Sequence, residues 1–170
     1  MNRIIILIAV LFCPLAHAES LRMSVGVTRY SSETLELAYS VRKKWDIALG
    51  YIGSQTLDAN VHTNICKDQS LQPPCDHIVL PGKMELDSYF YASVQRIHEF
   101  RRDRTLRPFA GLGLAAYTDN NPLVSSPLGF SLSAGMNIGE RFGFQWRHFS
   151  NAGIEQPNMG QDMLLASWRL

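Results

Sequence analysis

From residue 21 onward, apolar side chains alternate with polar or small ones. A period of two is the signature of a strand with two unlike faces, and helical spacing is almost absent. The pattern recurs over residues 21–30, 34–41, 45–55, 85–97, 107–117, 128–138, 141–150 and 161–170. The clearest case is 128–138. There Leu128, Phe130, Leu132, Ala134, Met136 and Ile138 oppose Gly129, Ser131, Ser133, Gly135 and Asn137. In 85–97, Leu86, Phe90, Ala92 and Val94 oppose Asp87, Tyr89, Tyr91, Ser93 and Gln95. Eight strands of about ten residues match the length that a tilted strand needs to cross a bilayer. The expected fold is all-β, an eight-stranded antiparallel up-and-down transmembrane β-barrel.

The apolar face is free of charge at strand centres, which suits lipid. The opposite face carries Arg22, Glu36, Asp46, Asp87, Gln145, Arg147 and Arg169 among small residues. Eight strands enclose only enough room for side chains, so a filled, ion-paired interior without a pore is expected. The competing fold is a soluble eight-stranded barrel with its apolar face inward. A mean hydropathy near zero does not separate the two, because lipid-facing and interior residues average out.

The amino end favours export. Arg3 precedes an apolar run from Ile4 to Leu15, and Ala16-His17-Ala18 supplies a small-x-small cleavage pattern. This predicts a signal peptide over 1–18 and an outer-membrane barrel over 19–170. Cys13 follows Phe12, where lipoprotein processing wants a small residue, so lipidation is not expected. Loss of Arg3 takes the formal charge from +1 to zero, which gives no electrostatic footprint for nucleic acid.

Trp45 and Phe142 begin their strands and Trp168 nearly ends the last. In an up-and-down barrel all three lie at one rim, as an interfacial girdle should. The links at Lys43-Lys44 and Gly139-Glu140 are short, which marks that rim as periplasmic. The long links 56–84, 118–127 and 151–160 are then extracellular. Two connections fit less well: 98–106 is long for a periplasmic turn, and 31–33 is short for an outer loop.

Cys66 and Cys75 share one polar loop. Outside the cytoplasm such a pair forms a disulfide, worth about 2–3 kcal/mol for so small a loop. His62 and His77 flank the pair, which leaves a Cys2His2 zinc site as the alternative.

The last two strands carry the chemistry. In RFGFQWRHFS, alternation puts Phe142, Phe144, Trp146, His148 and Ser150 on the lipid face. In QDMLLASWRL, Asp162 is the one acid on that face, across the hairpin from His148. Cross-strand neighbours of this kind bring Cβ atoms to roughly 5 Å. Unpaired polar groups facing hydrocarbon are costly, so their presence calls for a reason. Ser150 as nucleophile, His148 as base and Asp162 as the group orienting the imidazole would make a serine-esterase triad. Spacing alone leaves a second reading open, in which all three are ordinary rim residues at headgroup level.

The stretch HFSNAGIEQPNMGQD, His148 to Asp162, resembles the signature of the PagL-type lipid A 3-O-deacylases, with its His-x-Ser-Asn-Ala start and later Pro-Asn-x-Gly. The resemblance is dense over 148–170. It implies an outer-membrane barrel with its active site on the outer wall. It assigns His148 and Ser150 as base and nucleophile, Asp162 as the acid and Asn158 to the oxyanion hole. Asn151 matches another signature asparagine. A member of that family has Glu, one methylene longer, at the position of Asp162. The implied substrate is the lipid A of lipopolysaccharide in the outer leaflet, cleaved without metal or other cofactor. A homodimer is left open. The alternative function is a structural or adhesive barrel working through loop 56–84. An acyltransferase or phospholipase on the same scaffold is a third.

Overall fold

The computed structural model describes residues 18–42, 44–57, 62–65, 76–79, 83–100, 105–154 and 158–170. Eight long strands form one closed antiparallel barrel: β1 (Ala18–Thr28), β2 (Glu33–Val41), β3 (Trp45–Ile52), β8 (Tyr89–Glu99), β9 (Leu106–Tyr117), β10 (Leu128–Ile138), β11 (Phe142–Ser150) and β12 (Gln161–Arg169). Each pairs with its neighbour in that order, and β12 closes onto β1 with Arg22 opposite Arg169 and Thr28 opposite Met163. Closure leaves no open edge whose N–H and C=O groups would face hydrocarbon. Four short strands, β4 (Gln55–Leu57), β5 (His62–Ile65), β6 (Asp76–Val79) and β7 (Met84–Leu86), form two ribbons, β4 with β7 and β5 with β6.

The alternation sorts side chains as expected. Along β10, Leu128, Phe130 and Leu132 are exposed, while Ser131 and Ser133 are buried. The outward apolar face is therefore the surface offered to lipid. At the rim with short turns, Phe142 lies opposite Trp168 with ring centroids 5.2 Å apart, and Trp45 opens β3. Gly139, at φ +60°, makes the tight β10–β11 turn. The link after β8 is shorter than expected, because β8 runs on to Glu99 and Phe100 N–H still bonds Pro108 O.

The interior is layered. Arg147, fully buried, pairs with Glu36, which also accepts from Tyr91 Oη at 2.8 Å. Arg22 reaches Asp46 Oδ2 at 2.9 Å. Toward the long-loop end the filling becomes aromatic: Phe149 meets Tyr91 at 4.8 Å and Tyr117 at 5.5 Å, both edge-on. Such pairs add about 0.5–1.5 kcal/mol each beyond area burial. The expected filled interior needs one correction. At the short-turn end a cavity of about 670 Å³ remains, lined by Arg22, Asp46, Glu99, Arg107 and Arg169 among others.

Two further expectations change. The strand predicted over 45–55 stops at Ile52, and the one predicted over 85–97 starts at Tyr89. Between them the chain leaves the wall at Gly53-Ser54 and returns as the β4/β7 ribbon, which bends over the barrel mouth. Leu86, expected on the lipid face, is instead buried with Leu57 and Leu123 in a cap, with Tyr30, Met84 and Met159 packed around them. Asp87, expected inside, is exposed where the ladder is interrupted. The segment 118–127 joins this cap. It turns at Asn121, whose Oδ1 accepts from Leu123 N–H at 2.9 Å, and Leu123 O then accepts from Gly160 N–H at 3.1 Å.

Cys66 and Cys75 lie outside the described residues, as do residues 1–17 of the expected signal peptide. Of the segments around the cysteines, the backbone ladder pairs His62 with Val79 and Ile65 with Asp76.

Candidate active site

The β11–β12 ladder sets His148 directly opposite Asp162. His148 Nδ1 lies 2.9 Å from Asp162 Oδ1, and both side chains are about a quarter exposed. The shorter carboxylate thus spans the gap, because directly opposed residues need little reach. With Nδ1 on the carboxylate, Nε2 is the ring nitrogen left to exchange a proton with a substrate or a hydroxyl.

Ser150 closes β11, two residues beyond His148 on the same face. Its Oγ accepts two hydrogen bonds, from Asn158 Nδ2 at 2.9 Å and from Ala152 N–H at 3.0 Å. Two N–H donors occupy the oxygen's acceptor sites and leave its own hydrogen free to donate. Among the described residues, no hydrogen bond joins Ser150 Oγ to the imidazole.

A tight corner brings those donors round. Asn151 is buried; its Nδ2 donates to Ser125 Oγ at 2.9 Å and its Oδ1 accepts from Gly153 N–H at 2.9 Å. The corner holds Ala152 at φ +57° and Gly153 at φ +79°. Left-handed backbone at a non-glycine residue costs about 1–3 kcal/mol and persists only where its surroundings hold it. Here Asn151 does so from both sides. Its backbone N–H also approaches Asn158 Oδ1 at 3.4 Å, which orients that amide with its nitrogen toward Ser150.

Of the residues singled out in the sequence, His148, Ser150, Asp162 and Asn158 therefore converge on one outward patch. Asn151 faces the scaffold and supports them. Three neighbours, Arg29, Ser125 and Gly160, and the polar contact of a fourth, Trp146, were not anticipated. Trp146 Nε1 donates to Asp162 Oδ1 at 3.1 Å. Arg29 Nη1 stands 4.0 Å from Asp162 Oδ2, with its side chain 64% exposed. Ser125 arrives from a distant loop. Gly160, at φ +73°, lies so close to the imidazole that a Cβ there would come within 2.5 Å of His148 Cε1. Two of these carried a sequence signal: Trp146 shares the outward face two residues before His148, and Gly160 stands in the Pro-Asn-x-Gly pattern. Nearby, burial pushes the Tyr30 phenol up, while Arg29 pulls it partly back and Asp162 adds to the rise.

Below the polar patch the wall is apolar. A groove of about 500 Å³ runs over the outer face past Trp146, Leu164, Ala134, Phe144, Ala166 and Val27. Ala134 and Ala166 lie beside larger side chains, Ala134 opposite Trp146 and Ala166 opposite Phe144. Phe130 and Leu132 flank Ser150 and His148 on the β10 side.

Comparison with known proteins points the same way. The family model described as lipid A 3-O-deacylase (PagL) matches residues 36–170. No curated protein matches the chain. Among solved structures, the crystal structure of the outer membrane enzyme PagL is similar at a TM-score of 0.53 and 21% identity, over 89% of this chain and 98% of that one. The N-terminal β-barrel domain of Pseudomonas aeruginosa OprF is similar at a TM-score of 0.47 and 15% identity, over 89% and 96%. The structural likeness establishes the barrel, and the family model spans most of it: this chain is an outer-membrane β-barrel that belongs to the PagL lipid A 3-O-deacylase family.

Proposed function

We propose that this chain is a serine esterase that releases the 3-linked hydroxyacyl chain of lipid A from the outer leaflet, with Ser150, His148 and Asp162 as its triad. The observation that carries the reading is the His148–Asp162 pair beside a serine whose oxygen is held by two N–H donors, all on the lipid-facing wall.

The chemistry follows from that arrangement. Ser150 Oγ attacks the ester carbonyl while its proton passes to His148 Nε2. Asp162 stabilises the imidazolium through Nδ1. As Oγ attacks it gives up the bonds from Asn158 Nδ2 and Ala152 N–H, and those donors are then nearest the carbonyl oxygen as it gains charge. One such donor is typically worth about 3–4 kcal/mol in the transition state. His148 then gives the proton to the departing sugar oxygen as the ester C–O bond breaks, releasing the sugar hydroxyl and leaving an acyl-serine. Water repeats the sequence, with His148 again taking and returning a proton, and frees the hydroxy fatty acid. The groove beneath receives acyl chains. The long-loop rim faces outward from the cell, so the sugar headgroup meets the triad at the level of the lipid esters.

The test is mass spectrometry of lipid A after incubation with purified, folded protein. Wild type removes the mass of one hydroxyacyl chain, and Ser150→Ala removes none. An unchanged lipid with folded wild type overturns the proposal. A different mass change, or a consumed phospholipid, assigns the scaffold to another acyl chemistry.

A further inference from the structure

The Asp162 carboxylate is held by more than its histidine. Its Oδ1 accepts both His148 Nδ1, at 2.9 Å, and Trp146 Nε1, at 3.1 Å. The indole also lies over the imidazole, with ring centroids 5.8 Å apart and planes 20° from parallel. One side chain therefore fixes both members of the pair, the acid through a hydrogen bond and the base through a stacked face. Backbone register explains how. Trp146 and His148 are successive outward residues of β11, and Trp146 stands opposite Leu164, the next outward residue after Asp162 on β12. Asp162 is thus the diagonal neighbour of Trp146, within reach of a large aromatic side chain.

The other contact of the carboxylate is weaker in kind. Arg29 touches Oδ2 only at 4.0 Å and is largely exposed, the class of ion pair that contributes little. The backbone bond from Arg29 N–H to Asp162 O, at 2.9 Å, holds the strand and not the carboxylate. A tryptophan whose N–H ends on an acidic oxygen at the edge of lipid has a directional task that packing alone does not require, since a buried or lipid-facing indole N–H seeks one acceptor.

We infer that Trp146 is a positioning residue of the triad: its indole N–H locks the short Asp162 carboxylate onto His148. The inference rests on the esterase reading above and goes beyond it, because that reading gives Trp146 no role. It also predicts a dependence between two positions, in which Trp146 matters while residue 162 is aspartate and matters less when it is glutamate.

The experiment compares steady-state deacylation of lipid A in mixed micelles by wild type, Trp146→Phe, Asp162→Glu, the Trp146→Phe/Asp162→Glu double variant and Arg29→Ala. Trp146→Phe keeps an aromatic ring and removes the donor. It is expected to lower kcat roughly tenfold, the scale of one hydrogen bond to a charged group, with KM little changed. The double variant recovers most of that loss. Arg29→Ala stays within about twofold of wild type. Wild-type kcat in Trp146→Phe overturns the inference, as does a loss confined to KM, which would make Trp146 an acyl-chain contact. A double variant as slow as Trp146→Phe overturns it too. Inactive wild type is a separate result and overturns the esterase reading itself. A second measurement needs no variant at position 146. The chain has three tryptophans, so its 15N-labelled indole N–H signals are assigned by Trp45→Phe and Trp168→Phe. The Trp146 signal shifts on Asp162→Asn; an unmoved signal overturns the inference.

Discussion

Residue by residue, the patch depends on what is missing as much as on what is present. Gly160 combines a left-handed backbone with direct contact to the imidazole, and both argue against any side chain there. Gly160→Ala is expected to push His148 off its line to Ser150. Deacylation then falls by about two orders of magnitude, the scale on which a displacement near 1 Å is felt in catalysis. The barrel persists, which the heat-dependent gel mobility of the variant checks. Much of the patch was legible in the sequence, because strand parity is a strict rule. His148, Ser150 and Asp162 share a face by counting, and the hairpin sets two of them opposite each other. The contacts of Trp146 and Arg29 with Asp162 were not legible. They depend on side-chain direction and on β12 meeting β1 at barrel closure, which no local pattern encodes. Ser125 was hidden for another reason: it reaches Asn151 only because its loop docks across the mouth.

The elements divide into a wall that fixes register and a cap that fixes the donors. The wall was readable almost throughout. The one misreading lay at 53–88, where β4 and β7 keep the strand alternation after leaving the barrel, so that Leu86 continued an outward series it does not belong to. The cap explains why that ribbon exists near the site. Leu123 is fully buried between Leu57 and Leu86, and its carbonyl holds Gly160 just before β12 begins. Leu123→Ala removes side-chain burial worth about 2–5 kcal/mol, but from the cap and not from the wall. The expected outcome is a barrel that melts close to the wild-type temperature, with faster proteolysis in 118–127 and 151–160. Activity falls several-fold as Asn158 and Gly160 lose their support. Limited proteolysis read against the unfolding temperature separates cap from wall; a matching drop in the barrel's melting temperature would show that the two are one cooperative unit.

Across the whole molecule, an aromatic and ionic core is enclosed by a wall that carries the candidate site on its outside. Arg147 and Glu36 sit near the middle of that core with no exposure. Removing one partner of a buried pair leaves a charge uncompensated and costs about 3–5 kcal/mol, whereas replacing both with apolar residues is often neutral or stabilising. Arg147→Met should therefore lower the urea midpoint of unfolding, and Glu36→Met/Arg147→Met should restore only part of it, because the second change also takes the acceptor from Tyr91 Oη and one carboxylate from Arg22, while lipid A deacylation by the folded fraction is unchanged in both. His148 and Ser150 look away from this core, so the proposed reaction would not draw its substrate through the barrel interior. On the proposed triad, a lipid would arrive by sliding along the wall and would leave the same way. The quantity that sets the frequency of encounter is then the mole fraction of lipid A in the surrounding leaflet. Diluting lipid A with inert lipid would slow such an enzyme at constant bulk concentration, as it would any reaction confined to two dimensions.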